Sequence, residues 1–375
     1  MPFREKRLHT SASQFRDYAT MAESPAAIES LLSLAQKTTA HSAIRQAVVF
    51  HRGDLTEILS RRLSKLQIDF TLINPSSNAF QITMPATTET GYLEGVFAIL
   101  PSSNPCLNKI TTISSSIFWA RTIRKLVRKL YPEAMPVFFK QSEIREALLF
   151  LEQSLGEKFQ IKVSDATMKS EKRKGDFNTE RGWADELSID ESFDIASERG
   201  FWFSSLKFLI KKRTSETGRF RTVASGRLHK YGEVHFEWFY NEITSYLVAK
   251  LENFAAERLS LFEKRGIKER NYKVGFPLEI SYSGDIFSDI QEVRRFGEVI
   301  SKYPNSSKAV FHGNPYYHAS VADFLDGSSF EIWVLSPRRT IIVPQVKSTT
   351  QALERLISYV FYEFKEGTVS EYRGD

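Results

Sequence analysis

Four basic residues, Arg121, Arg124, Lys125 and Arg128, stand at i, i+3, i+4 and i+7, so a helix over 114–131 places them on one face. Lys129 follows directly. Like charges at these spacings repel, so a sequence that keeps them together points to an anionic partner or to acids packed across from them. Trp119, Ile123, Leu126, Val127 and Leu130 fall on the other face and suit a core. A phosphate backbone is the partner this stripe fits best, through a salt-sensitive, sequence-independent contact. Two plainer readings stand beside it. One is a solvated face balanced by acids from elsewhere in the fold. The other is an anionic membrane surface, although a core needs the same apolar face.

A second basic group, Lys211, Lys212, Arg213, Arg219, Arg221, Arg227 and Lys230, interrupted by Glu216, surrounds Thr214, Ser215, Thr217 and Gly218. That arrangement reads as the tip of a β-hairpin, an element able to enter a nucleic-acid groove. Phe201, Trp202, Phe203, Phe220 and Tyr231 lie nearby and could stack on bases; at alternating spacing they equally suit a core. An acidic stretch just before it (Asp185, Glu186, Asp190, Glu191, Asp194, Glu198) supplies charge that could neutralise it, within the chain or across a dimer.

A third constellation would do different chemistry. Asp323 and Asp326 flank the end of an expected strand, and Gln345-Val346-Lys347 ends a later one, directly before a helix. Alternation puts Gln345 and Lys347 on one face. The set resembles the acid…(Glu/Gln)-x-Lys pattern of the restriction-endonuclease-like superfamily, in its glutamine-bearing form, over about sixty residues. That resemblance implies carboxylates holding Mg²⁺ and a lysine assisting an attacking water, with Glu298 as the further carboxylate. Pro344 interrupts the strand and no proline–aspartate pair is present. Mg²⁺ belongs to this reading alone, and no other cofactor is expected.

The histidines are few. His229 and His235 are too far apart for one turn, His235 and Glu237 share a strand face, and His312 and His318 could meet across a hairpin. Each could be a metal pair, but satisfied structural histidines are the commoner case, and no metal site is assigned. Without a P-loop, a Gly-x-Gly-x-x-Gly or a Gly-x-Ser-x-Gly, no nucleotide hydrolysis, dinucleotide cofactor or α/β-hydrolase triad is expected.

The elements that must position these residues follow from periodicity. Helices are expected at 25–35, 42–51, 55–66, 114–131, 142–155, 239–264, 286–302 and 349–366. Strands are expected at 67–73, 79–84, 91–99, 135–139, 159–163, 201–210, 219–224, 228–237, 274–282 and four times between 308 and 346. The first three strands suggest a small antiparallel meander, and 135–163 a βαβ-like unit. The fold class is therefore α+β. A helical and β domain (1–163) would be joined by a charged linker (164–182) to a second α+β domain (183–375), with its own meander and a C-terminal helix.

Charge layout gives the functional expectation. Residues 1–150 hold 18 basic and 12 acidic side chains, and the remainder balances, so the formal +6 sits in the first part of the chain. One cysteine, Cys106, excludes a disulfide framework and a cysteine zinc site. No apolar run is long enough for a bilayer, and the charged N-terminus lacks a secretory core. The expectation is a cytoplasmic, nucleic-acid-associated protein, non-catalytic by itself and working with a protein partner or a second copy. Such a subunit would suit a nucleic-acid-processing or antiviral defence complex. A nuclease and a charge-held interaction scaffold are the alternatives.

Overall fold

The computed structural model describes residues 15–17, 19–38, 43–85, 92–170, 180–181, 186–215, 218–268, 272–313 and 316–374. The chain is α+β and divides into two compact units, Met1–Phe254 and Ala255–Asp375. The division does not fall at the expected linker. Residues 164–170 of that segment lie inside a strand, and 171–179 and 182 are outside the described residues.

The first unit opens with helix α1 (Pro25–Thr38), then β1 (Ile44–His51) and α2 (Leu55–Lys65). Next come β2 (Asp69–Asn74), β3 (Ala79–Pro85), β4 (Tyr92–Pro101) and β5 (Leu107–Thr112). Helix α3 joins Ser116–Phe118, a π-helical turn Trp119–Ile123 and Arg124–Arg128. Then follow β6 (Ala134–Pro136), α4 (Gln141–Leu155), β7 (Phe159–Ser170), β8 (Glu180–Arg181), β9 (Leu187–Ser188) and α5 (Ile189–Glu198). The unit continues with β10 (Phe201–Arg213), β11 (Phe220–His229) and β12 (Glu233–Glu237). The last helix, α6, runs through Tyr240–Glu242, a π-helical stretch Ile243–Val248 and Ala249–Glu263, and the unit boundary lies within it.

All twelve strands form one antiparallel sheet in the order β2-β3-β4-β5-β1-β12-β11-β10-β7-β8, with β6 on β1 and β9 on β7. The expected meander is thus one end of a larger sheet. The βαβ-like unit does not form. The strands before and after α4 lie on different partners, β1 and β10, and pair antiparallel. Of residues 42–51, read as a helix, Ile44–His51 form β1, and 42 lies outside the described residues. Flanked by β5 and β12, that strand buries nearly every side chain, so no alternation marks it.

One core of this unit determines where α3 sits. Leu55, Ile58, Leu59 and Leu63 of α2 and Trp119, Ile123, Leu126 and Val127 of α3 are buried together with Ala47, Val49, Phe97 and Ile110 of the sheet. Asp54 starts α2 by accepting hydrogen bonds from the backbone N–H groups of Thr56 and Glu57. Ser115 starts α3 by accepting from that of Phe118, at 3.1 Å.

The second unit adds the two-stranded β13 (Arg265–Lys268) and β14 (Tyr272–Gly275). Its main sheet is built from β15 (Leu278–Ser281), β16 (Ser306–His312), β17 (Tyr317–Asp323), β18 (Ser329–Ser336), β19 (Arg339–Pro344) and β20 (Thr368–Glu371), in the order β16-β17-β18-β19-β15-β20. Helices α7 (Ile290–Ser301) and α8 (Thr350–Glu363) bury Val293, Phe296, Leu353, Leu356 and Ile357; Phe296 meets Tyr317 of β17 edge-on at 5.5 Å. Thr349 rather than Ser348 caps α8, accepting from the N–H of Ala352. Among the described residues no helix is long and apolar enough to cross a membrane.

Candidate functional site

The basic stripe of α3 divides in two. Arg121, Lys125, Arg128 and Lys129 are exposed, whereas Arg124 is turned toward the sheet. A π-turn adds a residue to one helical turn and so rotates the side chains before it relative to those after. Arg124 donates from Nε to Oε1 of Glu233 at 2.6 Å and from Nη2 to Oε2 at 2.5 Å. Trp119 Nε1 donates to the same Oε2 at 3.0 Å. The paired guanidinium anchors the helix to β12, and the outward lysines and arginines present positive charge to solvent.

The neighbouring helix adds to that surface. Arg62 Nη2 donates to the Tyr131 carbonyl at 2.8 Å, and Arg61 pairs with Glu133. These contacts fix the outer side of α2, with exposed Arg61 and Lys65, against the segment that follows α3. Two other cations of the first 150 residues are committed elsewhere. Lys109 is buried and lies 3.3 Å from Glu29, and Lys140 lies 3.7 Å from Glu143.

The β10–β11 hairpin forms as the sequence suggests, with residues 216–217 of its tip outside the described set. Lys211 pairs with Glu186, so the acidic stretch does neutralise part of the cluster. Asp190 and Asp194 instead take Arg145, at 2.7 and 3.2 Å. Lys212 lies over the Phe159 ring, Arg213 Nε donates to the Gly218 carbonyl, and Arg219 and Arg221 are exposed.

In the second unit, Asp323, Asp326 and Lys347 do converge on the β17–β18 turn. Both carboxylates are already used. Asp323 is fully buried and accepts from Arg355, from Tyr303 Oη at 2.9 Å and from the N–H of Leu325. Asp326 accepts from the N–H of Ser328 and from Thr349 Oγ1 at 2.5 Å. Lys347 lies across Gly327, occupying the space a side chain there would fill. Gln345 bonds weakly back to the Val343 carbonyl, and Glu298 is exposed on α7. A turn held together by its acids does not offer a metal-binding pair, so the geometry lends the nuclease reading no support. His312 and His318 are cross-strand neighbours, as the hairpin reading has it. The His318 ring stacks on Trp333 at 3.5 Å, and its Nε2 lies 3.4 Å from Glu331.

A different cluster was missed by sequence reasoning. His229, Glu233 and His235 present ligand-type atoms all within 4.8 Å of one another, the only such trio among the described residues. The β11–β12 hairpin creates it. Its register sets His229 opposite Glu233 and Arg227 opposite His235, so all four share one face. Gly232 closes the turn at φ +72°, and a Cβ there would press on the carbonyl oxygens of Val48 and Val137. Burial, and then His235 beside it, pushes the His229 pKa down to about 3. Burial also lowers that of His235. For Glu233 burial alone would raise the value, but contacts with His235, Arg124 and Trp119 outweigh it and hold the carboxylate ionised. The readable signal was the turn, Lys230-Tyr231-Gly232, which folds His229 back onto the strand bearing His235.

The sequence matches none of the known protein-family models, and none of the curated proteins matches it.

Proposed function

We propose that this protein binds nucleic acid through phosphate contacts along the outer side of α3 and the adjoining side of α2. The observation that carries the reading is the division of the stripe. The acid packed against α3 takes Arg124, while Arg121, Lys125, Arg128 and Lys129 are exposed. Exposed Lys65 on α2 reinforces them from the next helix, where Arg61 is balanced by Glu133. Arg124 serves as the anchor that fixes the surface rather than as a phosphate ligand. The exposed arginines of the β10–β11 hairpin, Arg219 and Arg221, are the secondary contact.

The test is fluorescence anisotropy of labelled single- and double-stranded DNA and RNA, with the full chain at two salt concentrations. Binding that weakens steeply with salt and is much weaker in the K125E/R128E/K129E variant supports the proposal. Equal binding by a correctly folded triple variant overturns it.

A further inference from the structure

We propose that His229, Glu233 and His235 form a zinc site on the side of the β11–β12 hairpin that faces α3. Two imidazoles and one carboxylate are a donor set suited to Zn²⁺ rather than to Mg²⁺ or Ca²⁺, which prefer all-oxygen surroundings. Three protein ligands leave a fourth tetrahedral position for water or for an anionic group.

Three observations point the same way. The ligand atoms lie within 4.8 Å of one another before any ion is added. His235 Nε2 is buried without a close hydrogen-bond partner, and Glu233 Oε2 lies 3.5 Å from it. A buried polar nitrogen left unpaired is costly, and a metal aimed between it and the carboxylate would satisfy it. Finally, Glu233 is oriented by Arg124 and Trp119, the kind of outer-shell support that fixes a ligating carboxylate.

The Arg124 charge works against any cation. It balances Glu233, so it lowers zinc affinity below that of a bare two-histidine, one-glutamate set. The carboxylate, facing the same space, also rules out an anion alone as the occupant of the trio. A small cleft lined by Trp119, Arg124, Arg128, Tyr231 and Glu233 adjoins the carboxylate.

The experiment uses the full chain stripped with a chelator, titrated with Zn²⁺, and separately with Co²⁺ as a spectroscopic probe. One equivalent per chain, with the intense visible bands of tetrahedral Co²⁺ and a rise in melting temperature on adding Zn²⁺, is expected. H229Q and H235Q should each lose the bands. W119F, which removes one outer-shell bond and leaves all three ligands, should weaken binding by about tenfold. No stoichiometric binding by the wild-type chain overturns the proposal, whatever the variants do. So does undiminished binding by a folded H229Q/H235Q double variant, which would place the ion elsewhere. Anisotropy measured in chelator keeps the outcome separate from the nucleic-acid reading.

Discussion

Arg124 and Glu233 lie 109 residues apart in sequence and meet through two parallel charge-assisted hydrogen bonds at 2.6 and 2.5 Å. The Glu233 side chain is 9% exposed and that of Arg124 29%. A residue that reads in sequence as the middle of a nucleic-acid stripe is therefore a strut between α3 and the sheet. Truncating one member of such a pair strands the other's charge.

It follows that Arg124→Ala should destabilise the first unit by about 3 kcal/mol, the lower end of the range for a broken buried pair because the guanidinium keeps some solvent. The check is urea denaturation of the full chain with far-ultraviolet circular dichroism. Reversing Arg124 to glutamate would be a poor test of binding, since an unfolded variant and a non-binding one would look alike. A variant as stable as wild type would mean the pair carries no weight.

The exposed partners should behave in the opposite way. Lys125→Glu, Arg128→Glu and Lys129→Glu should each leave stability within about 0.5 kcal/mol, as surface changes do. On duplex DNA the triple variant should flatten the dependence of log affinity on log salt by about 0.9 for each phosphate it no longer neutralises. The slope is the diagnostic. A weaker affinity with an unchanged slope would point to disturbed packing rather than to fewer neutralised phosphates.

The β17–β18 turn gives a clean separation of structure from catalysis. Asp323 is fully buried between Arg355 and Tyr303. Asp323→Asn should cost about 3 kcal/mol or more by leaving Arg355 uncompensated, and should open the second unit to limited proteolysis. Lys347→Ala, at an exposed position, should change stability little. A nuclease would show the reverse pattern: both variants folded, both losing Mg²⁺-dependent cleavage.

Residues with a local signature were legible in the sequence. The stop after α4 at Gly156, the hairpin from β10 to β11 and the apolar side of α3 follow from turn chemistry and period. What failed were features set by the sheet. β1 reads as a helix because a strand buried on both faces loses its alternation. The linker was placed by charge at 164–182, yet Asp165 lies within β7 and is paired with Arg227 across the sheet. The commitment of Arg124 could not be read either, because its acid lies on a strand whose register depends on the pairing of β12 with β1. The same holds for the histidine–glutamate trio: one turn brings its residues together, but only the register puts them on one face.

Glu252 tests the electrostatics of the first unit's interior. Its side chain is buried, with Oε1 lacking a hydrogen-bond partner. Burial pushes its pKa up, against the pull of Lys109 and Ser102 and with a further push from Glu29; Tyr240 also faces it, and Glu252 helps raise that phenol. The sign is that of an acid whose folded value lies above its unfolded value of about 4.3. Below that value both states hold the proton and the group is neutral to stability. As pH rises, the unfolded chain releases its proton first, so folding is progressively penalised until the folded value is passed. Glu252→Gln removes the penalty. Its melting temperature should exceed that of wild type at pH 8, with the gap closing as pH falls to 4. A gap that stays constant between those values would show that Glu252 titrates alike in the folded and unfolded chain.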